Sequence, residues 1–373
     1  MKIIVAPDSF KNALRAPEVA AAIIRGWNLS RPQDRLIAMP MSDGGEGLCD
    51  ALTLAAGGRY LEIAAFDPLM RPRCGRAGIS GELAVLESAE ANGIELLRRE
   101  ELDPLKTTTF GVGVMLKELL LFHGCRKFII GIGGSATVDG GAGMLQALGC
   151  RFYDSAGAEL PQGIGGGDLG KITRIDHSGL PAELDETEIT VACDVNNILC
   201  GETGSAAVFG PQKGATPAMV KILDANLKHF AALWNDPGIS PGDGAAGGLG
   251  FALRKLGGKM ESGAKLVMKE SGFYEQLSGA DLVITGEGCS DNQTACGKLC
   301  SEIAIAAKSR GVPTVLFSGA LKGDCAELEK LFAGCFSISR GVCTLDEALA
   351  STRENLEKTA SALAVFTSGL QRR

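Results

Sequence analysis

The sequence predicts an α/β protein in which one doubly wound parallel-sheet domain is interrupted by a second, inserted α/β domain. Three observations predict it. The chain has 373 residues, and a single hydrophobic core rarely grows past roughly 250–300 residues. Both ends alternate short apolar runs with helical patterns, the rhythm of a parallel sheet. The middle breaks that rhythm, and its glycine-rich segments follow apolar runs.

The elements follow in order. Ile3–Ala6 is a buried strand, and a helix over 17–27 places Val19, Ile23 and Trp27 on one face with Pro17 in its first turn. A strand at 36–39 leads into Ser42-Asp43-Gly44-Gly45-Glu46-Gly47 and a helix that ends at Gly57-Gly58. Near the other end, Asp281–Ile284 is a strand leaving through Thr285-Gly286-Glu287-Gly288, followed by a helix over 301–309. A strand at 313–317, a helix at 326–332, a strand at 336–339 and a helix over 345–366 complete the set. Together the ends supply five strands, which suits a flavodoxin-like parallel sheet built from residues 1–60 and 241–373. The inserted α/β domain spans 61–240. It carries strands at 61–66, 83–87, 128–132 and 189–193, and helices over 111–122 and 218–234. The Pro- and Gly-rich stretch 236–250 reads as the return linker.

Composition narrows the function. Net charge is −7, which argues against a nucleic-acid surface but not against a small anionic substrate. No apolar stretch reaches the roughly 18 residues of a membrane span, and the opening apolar run is too short for a signal segment. A cytoplasmic protein is expected, with no membrane partner. The 12 cysteines are scattered through apolar and Gly-rich segments and read as small hydrophobes. Cys289, Cys296 and Cys300 match no common zinc spacing. With 3 histidines, none near a Gly-rich loop, a Ser-His-Asp triad finds no support.

Four loops carry the chemistry. Pro7-Asp8-Ser9-Phe10-Lys11 leaves the first strand, where open parallel sheets bind ligands; a turn-capping role for Asp8 or Ser9 is the alternative. The loop 42–47 combines three glycines with Asp43 and Glu46, which suits Mg²⁺ better than bare phosphate; Asp43 as a helix cap is the alternative. Gly131–Gly141 follows an apolar strand and can form a nest of N–H donors for an anion. It matches neither a Walker motif nor GxGxxG, and tight strand–helix packing would also ask for small residues. The fourth, from Thr285 through Asp291, Gln293, Thr294, Gly297 and Lys298, places a Gly-flanked carboxylate before a lysine. Asp194 ends an apolar strand, and Lys213 sits in the turn Gly210-Pro211-Gln212-Lys213-Gly214. Carboxylates, lysines and glycine nests around an interdomain cleft suit phosphoryl transfer, in which the protein mainly positions groups and neutralises charge.

Seven segments in one order resemble the bacterial glycerate kinase family, of the type that includes the glyoxylate-pathway kinase. They are APDSFK (6–11), PMSDGGEG (40–47), GIGGSATVDGGAGMLQALG (131–149), ACDVNN (192–197), FGPQKGA (209–215), GAAGGLG (244–250) and TGEGCSDNQTACGK (285–298). The resemblance implies ATP and Mg²⁺ dependence, D-glycerate as substrate, and a flavodoxin-like domain interrupted by a second α/β domain. Asn12 and Ala13 stand where the family tends to show Gly-Ser, Val138 where Asn is common and Ile198 where Pro is common. On this reading Asp194 is the general base, with Lys11 and Asp8 beside the reacting groups. Ser9, Arg71, Gly133, Gly134, Ser135 and Thr137 meet glycerate. Gly44, Gly45, Gly286, Gly288, Lys213 and Lys298 meet ATP, and Asp43, Glu46 and Glu287 hold Mg²⁺. The product is 2-phosphoglycerate or 3-phosphoglycerate. A kinase of another small hydroxy acid or sugar acid, and a non-catalytic small-anion sensor, are the rival readings. Oligomeric state stays open, a homodimer included.

Overall fold

A computed structural model describes residues 1–291, 298–323 and 326–371. Gln293, Thr294, Cys296 and Gly297, singled out above, lie outside the described residues. The strands run in chain order as β1 (Lys2–Val5), β2 (Arg35–Ala38), β3 (Arg59–Phe66), β4 (Pro72–Ser80), β5 (Leu83–Glu87), β6 (Lys127–Gly131) and β7 (Arg151–Tyr153). They continue as β8 (Arg174–Asp176), β9 (Glu188–Ala192), β10 (Lys259–Glu261), β11 (Leu282–Ser290), β12 (Thr314–Leu321) and β13 (Gly334–Ser337). The chain divides into two compact units. Unit 1 is Met1–Asp43, Asp50–Ala56 and Ala264–Arg373; unit 2 is Gly44–Cys49 and Gly57–Gly263.

Unit 1 holds a five-stranded sheet in the order β13-β12-β11-β1-β2. All four pairings are parallel. Numbered within the sheet this is the 2-1-3-4-5 order of the flavodoxin-like fold, whose direction reverses between β1 and β11. Central strands of such a sheet are covered on both faces, which is why Ile3, Ile4 and Val5 are all fully buried. One face packs Ile3, Val5, Ile284 and Phe317 against Val19, Ile23, Trp27, Leu356 and Ala360 from helices Ala16–Ser30 and Thr352–Gln371. Those helices touch backbone to backbone: a Cβ on Gly26 would lie 2.1 Å from the carbonyl oxygen of Glu357. The other face sets Leu316 against Cys300, Ala304, Leu328 and Phe332.

Unit 2 is a mixed six-stranded sheet in the order β10-β9-β6-β5-β4-β3, with a separate β7-β8 pair. β3, β4 and β5 form an antiparallel meander, and β5, β6, β9 and β10 run parallel. Its core packs Leu86, Phe128, Ile130 and Val191 with Val112 and Met115 of helix Phe110–Leu121 and Leu145 of helix Ala142–Leu148. Helix Pro217–Leu233 contributes the stripe Leu223, Leu227 and Phe230. Phe230 meets the rings of Phe152 and Phe251 edge-on at 5.9 and 6.2 Å.

Three boundaries differ from the sequence reading. The return to unit 1 falls at Gly263, beyond the expected 240, because Lys259–Glu261 pairs with Thr190–Ala192 and adds an edge strand. A three-residue strand reading Lys-Met-Glu carries no periodic signal. β11 runs on through Gly286 and Gly288 to Ser290, because β12 continues opposite it from Val315 to Leu321. The expected C-terminal helix is two, Leu345–Ala350 and Thr352–Gln371. Ser351, whose hydroxyl donates back to the Glu347 carbonyl at 2.7 Å, marks the break.

The end of helix Ala16–Ser30 is tied down by one buried carboxylate. Asp34 accepts from Arg31 Nε, Trp27 Nε1 at 3.0 Å and the Met1 amino group at 2.8 Å. Burial alone would raise its pKa, but these donors hold it well below the usual carboxylate range. A depressed folded-state pKa gives stability that is complete above the unfolded value, about 3.9, and lost as pH falls through the folded one. Asp34→Asn is expected to cost about 3 kcal/mol near pH 7, in the range for breaking a buried pair. Thermal melts of both proteins from pH 7 down to pH 2 check this: the gap in Tm should narrow only below roughly pH 4.

Candidate active site

In unit 2 three parallel strands end level. The register pairs Glu87 of β5 with Gly131 of β6, and Gly131 with Ala192 of β9. Asp194 lies two residues past β9, exposed, and accepts from the Gly263 N–H at 3.0 Å. Segment Gly44–Cys49 lies across these strand ends at backbone distance. A Cβ on Gly131 would sit 2.7 Å from the Gly44 carbonyl oxygen, and one on Gly133 would sit 3.2 Å from the Gly45 Cα. Gly44 itself has φ +96°, and a Cβ there would meet the Gly263 Cα at 2.7 Å. Side chains would push this layer apart. Glu87 fastens it: one carboxylate oxygen accepts the N–H groups of Gly47 at 3.1 Å and Cys49 at 2.9 Å, where helix Leu48–Ala55 begins.

The loop after β6 is pinned along its length. Gly134 O accepts from Ile94 N at 2.8 Å, and Ala136 N donates to Asn92 O at 2.7 Å. Thr107 Oγ1 donates to Ala136 O at 2.9 Å. Lys213 Nζ donates to Ser135 Oγ at 2.8 Å and to Thr137 O at 2.7 Å. Further on, the Asp139 carboxylate is wholly buried. It accepts from Thr109 N and Oγ1 at 2.8 and 2.7 Å, Gly141 N at 3.1 Å and Gly143 N at 3.2 Å. Burial pushes its carboxyl pKa up, against the pull of those donors. Among the described residues, the N–H groups of Gly133, Gly134 and Ser135 have no acceptor. Gly133 and Gly134 are exposed, and Gly134 has φ +72°. These three N–H groups are the candidate donors of an anion nest.

Unit 1 offers a carboxylate-lined edge where its strand order reverses. Asp8 N donates to Gly286 O at 2.8 Å, so Asp8 lies alongside β11. Glu287 accepts from Ser290 Oγ at 2.8 Å, and Ser290 contacts Ser318 Oγ at 2.9 Å. Beneath them the Cys300 thiol is pushed well up, first by burial and then by the charges of Glu287 and Asp8. Ser9 is half-buried and Lys11 exposed on the same loop. Lys298 is exposed just before helix Leu299–Ser309.

These placements revise several expectations. Gly286 and Gly288 are strand residues. A Cβ on Gly286 would meet the Phe317 carbonyl oxygen at 2.5 Å, and one on Gly319 would meet the Gly288 carbonyl oxygen at 2.3 Å. Crowding between β11 and β12 accounts for them. Thr137 is fully buried and accepts from Asn92 Nδ2 at 3.3 Å, so it supports the loop from within. Lys213 is 2% exposed and lies under the nest. Burial pulls its ammonium down to about 7, opposed by the nearby Asp139 charge. Arg71 is half-exposed but already bridged to Asp67 and Glu101. Asp43 and Glu46 are exposed. The sequence reading missed Glu87 and Asp139 as organisers. Asp139 closes Ser-Ala-Thr-Val-Asp-Gly-Gly just before helix Ala142–Leu148 and fits a helix-start acceptor, whereas Glu87 serves a helix start 38 residues earlier in the chain, which no local pattern announces.

A flavodoxin-like unit with a carboxylate-lined switch point, joined in one chain to a unit with an anion nest and a carboxylate on adjacent strand ends, defines an α/β enzyme that handles small anions. The chain belongs to the glycerate kinase family, whose family model matches residues 3–368. It is 43% identical to a glycerate kinase of Bacillus subtilis (strain 168), over 98% of this chain and 97% of that one. It is 42% identical to a glycerate 2-kinase of Escherichia coli (strain K12), over 95% of each. A crystal structure from Salmonella typhimurium LT2, designated provisionally glycerate kinase 2, superposes with a TM-score of 0.89 at 40% identity over all of both chains.

Removing the Asp139 carboxylate strands four buried donors at once. Asp139→Ala is expected to destabilise the protein by about 4 kcal/mol, within the range for breaking a buried charged network. Urea unfolding followed by fluorescence checks it; a midpoint unchanged from the wild type would remove Asp139 from its organising role.

Proposed function

We propose that this protein transfers the terminal phosphoryl group of ATP to D-glycerate, giving 2-phosphoglycerate. The observation that carries the reading is the pairing, on adjacent strand ends of unit 2, of an N–H nest at Gly133–Ser135 with the Asp194 carboxylate. A nest meets a substrate anion, and a carboxylate nearby can take the proton of its hydroxyl. The choice of the 2-hydroxyl follows the designation of the Escherichia coli relative. The order of the seven motifs supports the glyoxylate-pathway type within the family. Among the described residues no helix is long and apolar enough to cross a membrane, and we place the enzyme in the cytoplasm.

Each residue has a role in this reading. Gly133, Gly134 and Ser135 hold the glycerate carboxylate, with Ser9 and Arg71 as further substrate contacts. Asp194 accepts the hydroxyl proton as the oxygen attacks phosphorus. Lys298 and Lys11 offset charge on the transferring group. Asp8 and Glu287 present only oxygen donors, which suits Mg²⁺; that ion keeps near-octahedral oxygen ligands and usually binds through one or two carboxylates plus phosphates. Asp43 and Glu46 are further carboxylates of the same kind. Bound there, Mg²⁺ would neutralise phosphate charge. Gly44 and Gly45 keep the backbone low enough for close approach of an anion.

Two measurements test the proposal. Purified protein with Mg²⁺, ATP and D-glycerate should release ADP, and phosphorus NMR should show 2-phosphoglycerate. A 3-phosphoglycerate signal would overturn the regiochemistry, and ADP release indifferent to glycerate would overturn the substrate. Asp194→Asn should lower kcat by about 10²–10⁴-fold, the usual worth of a general base, with a smaller change in KM. Full turnover in that variant would transfer the base to another group.

A further inference from the structure

The nest of unit 2 rests on a lysine that solvent does not reach. The turn that delivers it is rigid. Pro211 opens a single 3₁₀ turn and Gly214 closes it at φ +92°, where a Cβ would lie 2.3 Å from the Leu102 carbonyl oxygen. Lys213 Nζ therefore arrives from a fixed origin and donates to Ser135 Oγ and Thr137 O. An ammonium has three donors and no acceptor, whereas a serine hydroxyl has one proton and two lone pairs. With Lys213 as the ammonium, Ser135 accepts from it and keeps its single proton for another acceptor. The two residues before it, Gly133 and Gly134, are exposed.

We infer that Lys213 is a positioning residue that turns the Ser135 hydroxyl into an outward donor to a carboxylate oxygen of glycerate seated on the Gly133–Ser135 N–H groups. The inference rests on the glycerate kinase reading above. Charge favours a carboxylate over a phosphate chain at this place. Buried Lys213 is opposed by buried Asp139, so the nest offers oriented dipoles over a near-neutral pair. That matches a single negative charge better than several. A bound anion in turn favours the ammonium form of Lys213. Lys213 needs no contact with ligand to act, and Ser135, 7% exposed, is the atom-level messenger.

The test is steady-state kinetics on the full chain, with KM for D-glycerate and for ATP measured separately. The proteins are wild type, Ser135→Ala, Ser135→Thr, Lys213→Met and the double variant Lys213→Met/Ser135→Ala. Ser135→Ala and Lys213→Met should each raise the glycerate KM by about 10–100-fold, the worth of a hydrogen bond to a charged group, with kcat and the ATP KM within about 3-fold. Ser135→Thr keeps the hydroxyl and should stay within about 5-fold of wild type. In the double variant, losing Lys213 should add less than about 3-fold to the loss of Ser135, because one acts through the other. An unchanged glycerate KM in Ser135→Ala, effects that multiply in full, or a rise confined to the ATP KM would each overturn the inference while leaving the kinase reading intact. If Lys213→Met does not fold, the contrast of Ser135→Ala with Ser135→Thr still decides the outward donor. A wild type that releases no glycerate-dependent ADP would overturn the kinase reading, and the inference with it.

Discussion

A carboxylate out of reach of water, that of Asp139, sets the terms for the inserted unit. An ionised carboxylate is costly to bury unless its lone pairs are filled. Here Thr109 supplies two donors and the backbone at Gly141 and Gly143 supplies two more. Those four bonds fix where helix Phe110–Leu121 begins and where helix Ala142–Leu148 begins. They also consume the donors at the far end of the glycine-rich loop, so the near end, at Gly133–Ser135, is the part left for a ligand. Lys213 supplies the opposite charge from below. The loop is thus held by two buried charges, and its near end is presented ready-made.

The architecture was legible because its signals were strong. Buried parallel strands such as Ile3–Val5 and Phe128–Ile130 are continuous apolar runs, and the stripe on Pro217–Leu233 has a helical period. The five strands of unit 1 take the expected flavodoxin-like order. What was not legible has local causes. β10 is three residues with one apolar member, and β11 outlasts its apolar run because pairing with β12, not hydrophobicity, holds its last residues.

The candidate site was legible as residue types and not as roles. Glycine carries two meanings that sequence does not separate. At Gly133 and Gly134 it leaves donors exposed, whereas at Gly286 it answers to the Phe317 carbonyl across the sheet. A lysine in a Gly-Pro turn was assigned to ATP, and only the packing of Gly214 on Leu102 shows Lys213 turned inward. One departure from the family pattern explains itself: Asn12 has φ +63°, a conformation that glycine takes freely and that asparagine tolerates better than most residues.

The register of β1 against β11 has a consequence for how the protein is made. Ile3 pairs with Leu282, and Thr285 Oγ1 donates to the Ala6 carbonyl across 279 residues of sequence. At roughly 5–20 residues per second, β1 waits on the order of 15–60 s after its own synthesis before its partner leaves the ribosome. All of unit 2 is translated in that interval and can collapse on its own core. The first fifty residues, with an apolar strand and the helix that carries Trp27, spend the interval without their sheet. Nascent-chain chaperones therefore have a clear target in residues 1–50, and unit 1 completes its sheet only after unit 2 has been made.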